Sequence, residues 1–291
     1  MERCEKQTET NTEFSREIEV YRLLCIFTAV VTLVSANWAI YLLLKRNIFH
    51  NSTKVLLFLN VMFAVAHESF SGVSEAVDMY RILTFTDNNC MKFVDGKDCS
   101  LVTKYLFMTI TGMVLTLLVL TFERILAMVR PQMFLSASYT PGAYFAAVVV
   151  VMSFVIPQLT FGDDSFSGKT PSCKVMKPTA QRYDIALLLA CAVVNFIELL
   201  LIAYTLIYFK ITQSKKFDVV IRYHQQESMI SSMALLPMSI FQFVCLCYYS
   251  IGNLLLLEFK SSMSNHTWGV FVVYLYVSSF FFAVHFFLLI A

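Results

Sequence analysis

Seven stretches of the chain are apolar for about twenty residues or more: Leu23–Leu44, Val55–Leu83, Leu101–Val129, Ala143–Phe161, Ile185–Phe209, Met229–Leu257 and Trp268–Ala291. Crossing the hydrocarbon of a bilayer takes about 20 residues of helix, and backbone in lipid must satisfy its own hydrogen bonds. Composition agrees, with 58% of the 291 residues hydrophobic and 14% charged, where soluble domains carry about a quarter charged. Gly (8) and Pro (6) are too scarce for a fibrous or disordered chain. Short connections leave no room for a soluble second domain, a linker or a solenoid repeat. The expectation is an all-α membrane protein, a single seven-transmembrane helix bundle over residues 1–291 in which span seven closes at Ala291. A net charge of +2 with no long basic block points to no nucleic acid.

Residues 1–20 are polar and rich in Glu, without the apolar core and cleavage site of a signal peptide. Span one is therefore expected to serve as its own uncleaved targeting signal. Lys45, Arg46 and Lys54 follow span one, Arg124 and Arg130 follow span three, and Lys210, Lys215, Lys216 and Arg222 lie between spans five and six. Raw Lys/Arg totals on the two sides are nearly neutral, so the compact basic flanks of span one set the orientation. That puts the N-terminus, with residues 1–20, outside and the C-terminus inside. Cys4, Cys90, Cys99 and Cys173 then all face the oxidising side, whereas Cys25, Cys191, Cys245 and Cys247 lie within spans. Four external cysteines allow three pairings, and spacing chooses none of them. Two glycosylation sequons exist, Asn51-Ser-Thr on the inside and Asn265-His-Thr in a short external loop.

Polar groups inside spans must face a partner, water or the bundle interior. In span two, Asn60, His67, Ser71, Ser74 and Asp78 share one helical face, bordered by Glu68 and Glu75. Span five carries Asp184, Cys191, Asn195, Glu198 and Thr205; span six carries Ser239, Gln242, Tyr249 and Asn253; span seven carries Tyr274, Ser278 and His285. The plain reading is interhelical hydrogen-bond glue. The sharper reading is a polar cavity for a small ligand, lined by His67, Glu68, Glu198, Gln242 and Tyr249. Catalytic signatures are missing: His67-Glu68 lacks a second His at zincin spacing, and no phosphate loop, GxSxG elbow or metal-type CxxC occurs. No enzyme, metal or cofactor is expected. Pro237 is placed to kink span six, because it removes a helical hydrogen bond.

The most specific constellation brackets span three, with Cys99 at its external mouth and Glu123-Arg124 at its inner end. A guanidinium there can be held by the adjacent carboxylate or by an acid on a neighbouring helix, Asp218 or Glu227, and released when helices separate. The plain alternative for such an Arg is a topology anchor.

Seven spans, Cys99, Cys173 and Phe122-Glu123-Arg124 resemble a heptahelical G-protein-coupled receptor. Phe63-Ala-Val-Ala-His67 is similar to the Leu-Ala-x-Ala-Asp segment of rhodopsin-like receptors, with His67 in place of the Asp, and Asn37 stands where those receptors keep an Asn. Thr121-Phe-Glu-Arg-Ile-Leu-Ala127 and Arg222-Tyr-His-Gln-Gln-Glu227 look more like the nematode serpentine chemoreceptors of the alpha/beta branch. This resemblance implies a receptor of the cell membrane, in a sensory neuron, that binds a small molecule in the outer half of the bundle. It implies a heterotrimeric G protein at the inner face, beside Lys210–Arg222. It also implies a Cys99–Cys173 disulfide, with Arg124 as the conformational latch. Departures are Ile125 in place of Tyr after Arg124, no Asn-Pro-x-x-Tyr in span seven and no Pro in span five. The alternative class is a transporter or channel with a polar mid-membrane path, against which the scarcity of Gly and Pro inside the spans speaks.

Overall fold

The computed structural model describes residues 16–45, 50–84, 94–129, 140–161, 169–170, 178–212, 219–259, 262 and 271. Among them six helices are long and apolar enough to cross a membrane. They are α1 (Arg16–Lys45), α2 (Asn51–Thr84), α3 (Gly96–Val129), α4 (Thr140–Thr160), α5 (Pro178–Thr212) and α6 (Val219–Phe259). Span seven, expected at Trp268–Ala291, falls outside the described residues apart from Phe271.

Local chemistry marks where these helices start and stop. His50 caps α2: its carbonyl accepts the Lys54 N–H at 3.0 Å and its ring Nδ1 accepts the Ser52 N–H at 3.4 Å. Pro141 and Pro178 open α4 and α5, where a missing N–H costs nothing. Asp98 sits in the first turn of α3, and Lys45 and Lys210 in the last turns of α1 and α5, each with the sign the helix dipole favours. The helices begin well before several apolar stretches do: α3 starts five residues ahead of Leu101 and α5 seven ahead of Ile185.

α3 is the central helix, packed on α2, α4, α5 and α6. Half of its apolar window is buried, against 22% for α1. The outward faces carry large apolar side chains, among them Val34, Tyr144 and Leu159, as suits a surface solvated by lipid. A two-residue antiparallel ribbon, β1 (Val94–Asp95) with β2 (Lys169–Thr170), ties the segment before α3 to the connection between α4 and α5.

The most extensive helix contact joins α5 and α6. On α5, Asp184, Leu188, Cys191, Asn195, Glu198, Ile202, Thr205 and Phe209 are all buried. Their alternating spacing of four and three is the 3.5-residue repeat that keeps one seam against a partner helix. Opposite them on α6 lie Ser228, Ser232, Leu235, Ser239, Leu246, Ser250 and Asn253, also buried. The register is antiparallel. Cys191 and Leu246 share one apolar cluster, Ile202 and Leu235 another, and Ser239 bonds Glu198 between them.

Close approach is also built into α4. A Cβ on Gly142 would lie 2.5 Å from the Ser52 carbonyl oxygen of α2, so only glycine lets the two backbones meet there.

Candidate functional site

Near the last turns of α3, Glu123 and Arg124 are 1% and 3% exposed. The Arg124 guanidinium contacts the Glu123 carboxylate at 3.4 Å. Thr53, from the first turn of α2, donates its hydroxyl to the same carboxylate, 3.3 Å from one oxygen and 3.1 Å from the other. Ser228 of α6 donates to the Arg124 backbone carbonyl at 3.3 Å. Three helices therefore converge on two adjacent residues. A buried ion pair gains little net stability, because desolvation offsets attraction, but breaking it leaves an uncompensated charge. Asp218 and the Glu227 side chain, the distant partners considered above, lie outside the described residues; Thr53 and Ser228 are the partners that sequence reading missed.

Of the five residues suggested as one ligand cavity, Glu198 and His67 meet α3 at different heights. His67 meets Thr109 of α3 at 3.0 Å. Thr109 also donates to the Leu106 carbonyl of its own helix at 2.7 Å. Glu198 accepts hydrogen bonds from Ser239 of α6 at 2.5 Å and from Thr121 of α3 at 3.5 Å. Thr121 lies 12 residues beyond Thr109, about 18 Å along the helix, and only three residues before Arg124. Glu198 thus lies toward the Glu123–Arg124 end, at a different height from His67. Tyr249 packs on the apolar cluster of Phe107, Phe161 and Leu188 at the other end, while Gln242 lies one turn from Ser239. Periodicity reports which face a residue occupies, not its height against the next helix. Glu68 is half-buried on α2.

The remaining expectations divide. Cys99 is buried in the first turns of α3, whereas Cys4, Cys90 and Cys173 lie outside the described residues. Asn37 is exposed and bonds the Leu33 carbonyl of its own helix at 2.8 Å. A second ion pair, Arg22 of α1 with Glu75 of α2 at 3.5 Å, is buried in the Cys99 half; sequence reading passed over Arg22 because it precedes span one. Among the described residues no three His, Cys, Asp or Glu side chains gather to hold a metal ion.

A family model described as serpentine type 7TM GPCR chemoreceptor Sra matches residues 1–291. The chain belongs to the Sra family. Serpentine receptor class alpha-10 of Caenorhabditis briggsae is 26% identical over 279 residues, 93% of this chain and 83% of its own length. Serpentine receptor class alpha-11 of Caenorhabditis elegans is 25% identical over 242 residues, 82% of this chain and 72% of its own. Serpentine receptor class alpha-1 of Caenorhabditis elegans is 26% identical over 246 residues, 84% and 72% respectively. This Sra chain is thus a chemoreceptor of the G-protein-coupled class, a receptor family and not an enzyme family. Its several membrane-crossing helices make it a multi-pass protein of the cell membrane.

Proposed function

We propose that this Sra receptor binds a small molecule in the half of the bundle that carries Cys99 and signals to a heterotrimeric G protein at the half that carries Arg124. The N-terminus faces outside and the C-terminus inside, with the seventh span within Trp268–Ala291. The single observation that carries the reading is the convergence of Thr53, Glu123, Arg124 and Ser228, because one buried contact set joins α2, α3 and α6 at one end. A ligand at the far end shifts such a device by binding one arrangement of the helices better than the other. Asp218 and Glu227 take the guanidinium in the released state. A Cys99–Cys173 disulfide tethers the outer end. Supporting it, Cys99 is disulfide-bonded, and the β1–β2 ribbon holds the connection that bears Cys173 at the start of α3.

The test is unstimulated nucleotide exchange on purified heterotrimers of the main α-subunit classes, driven by membranes holding wild type or Arg124→Ala at matched surface expression. The reading predicts a changed rate with at least one heterotrimer. Identical rates with every heterotrimer that responds to wild type contradict it.

A further inference from the structure

Polar residues recur along the α5–α6 seam, among them Asn195, Thr205, Ser232 and Ser250, and Glu198 with Ser239 forms one pair across it. A further polar group lies toward the Cys99 end. Asp184 stands 14 residues before Glu198 and Asn253 stands 14 after Ser239. Each step is about 21 Å, close to four turns, so an antiparallel register sets Asn253 opposite Asp184 on the same seam. The burial agrees: Asp184 is 3% exposed and Asn253 4%. Gln181, on the same face one turn before Asp184, is buried too.

Each of the three keeps an unmatched polar atom among the described residues. Asp184 Oδ1 and Gln181 Oε1 are acceptors without a donor, and Asn253 Nδ2 is a donor without an acceptor. Buried polar groups in natural proteins are nearly always paired, and the cost of leaving one unpaired is greatest where the medium is apolar. By the register above, two acceptors from α5 and one donor from α6 fall at the same end of the seam. Among the described residues, Arg182 on α5, Lys97 and Asp98 on α3 and Glu258 on α6 are exposed, and Lys104 of α3 is half-buried. The neighbouring layer is apolar and aromatic: Phe107 and Phe161, with ring centroids 5.1 Å apart, cluster with Leu187, Leu188 and Tyr249. A few convergent polar groups on an apolar wall are the usual makeup of a small-molecule site.

We propose that Asp184, Gln181 and Asn253 receive the ammonium head of a small primary amine, with an oxygen acceptor of the same molecule on Asn253 and its apolar body against the Phe107–Phe161 layer. This rests on the reading that the Cys99 half takes the ligand. A primary ammonium supplies donors for both α5 acceptors and neutralises the lone carboxylate, which a neutral alcohol does not. Asp184 thereby sets the class of ligand and Asn253 its orientation.

The experiment uses the full-length receptor in lipid nanodiscs, without G protein. Unfolding is followed with a thiol-reactive dye that reports the thiols of Cys25, Cys191, Cys245 and Cys247. Matched pairs of probes differ only in ammonium against hydroxyl: ethanolamine with ethylene glycol, and 2-amino-1-phenylethanol with 1-phenyl-1,2-ethanediol. At least one amine is expected to raise the Tm by about 5 °C at a hundred times its dissociation constant, with its diol partner inert. Asp184→Asn should keep or raise the unliganded Tm and lose the amine shift. Asn253→Leu, a second variant in case the first folds poorly, should shrink that shift. No shift from either amine, equal shifts within a pair, or a full shift in either variant overturns the proposal. Binding without any change in nucleotide exchange would instead retire the coupling reading and leave this site standing.

Discussion

Thr53→Val removes one hydroxyl at nearly constant volume from the first turn of α2, where the side chain is fully enclosed. That hydroxyl reaches both oxygens of Glu123 at 3.3 and 3.1 Å, a direct side-chain link from α2 to the ion pair. Hydrogen bonds to charged groups contribute about 1.5–3 kcal/mol, and interhelical ones in membranes reach about 1.7 kcal/mol at most. A figure of about 1.4 kcal/mol is therefore reasonable, which is a tenfold change in an equilibrium constant. If the contact exists only in the resting arrangement, a receptor with about 1% of its population active moves to about 9%. Unstimulated nucleotide exchange should rise up to tenfold. The assay compares wild type, Thr53→Val and Thr116→Val at equal surface expression. Thr116 is the control because, among the described residues, its hydroxyl bonds the Gly112 carbonyl of its own helix, at 2.6 Å. A Thr53→Val receptor that loses thermal stability yet exchanges nucleotide at the Thr116→Val rate would refute the reasoning, since the bond would then be structural in both states.

Three further outcomes follow from other contacts. Gly142→Ala puts a methyl 2.5 Å from the Ser52 carbonyl, backbone against backbone, so it should destabilise the receptor by about 1–3 kcal/mol, read as a lowered Tm in nanodiscs. Glu198→Gln keeps an acceptor for Ser239 and removes the charge near Arg124, so it should alter unstimulated exchange while ligand potency stays within about twofold; a large potency shift alone would return Glu198 to the ligand half. Cys99→Ser should lower surface expression several-fold if the disulfide stabilises the fold by about 2–4 kcal/mol, measured by labelling intact cells.

Apolar length was readable from the chain because it needs no tertiary information: lipid forces each span to close its own hydrogen bonds. The faces of α2 and α5 were readable for a similar reason, since periodicity alone groups Asn60 with Asp78 and Asn195 with Glu198. Height was not. His67 and Glu198 are both polar groups inside spans, but their α3 partners Thr109 and Thr121 stand 12 residues apart. The α5–α6 seam was half visible as two polar stripes, but its register depends on packing Cys191 with Leu246 and Ile202 with Leu235. Thr53 escaped notice because a threonine in a sequon, one turn into a helix, carries no signal of the carboxylate it serves 70 residues away. Arg22 escaped because span one was counted from the first apolar residue after it. The departures from rhodopsin-like receptors at Ile125 and in span five fit a separate branch of the superfamily, the Sra family.

The central claim is that the end of the bundle carrying Arg124 has two arrangements, one closed by the Thr53–Glu123–Arg124–Ser228 contacts and one open. The measurement that addresses it most directly is pulsed electron spin resonance between labels on Val129 of α3 and Ile230 of α6, both exposed near that end, with the receptor in nanodiscs. Adding nucleotide-free G protein should lengthen the distance by about 5 Å, the scale of a one-turn helix movement, and Arg124→Ala should populate the longer distance without G protein. A distance distribution unchanged in both conditions would contradict the account.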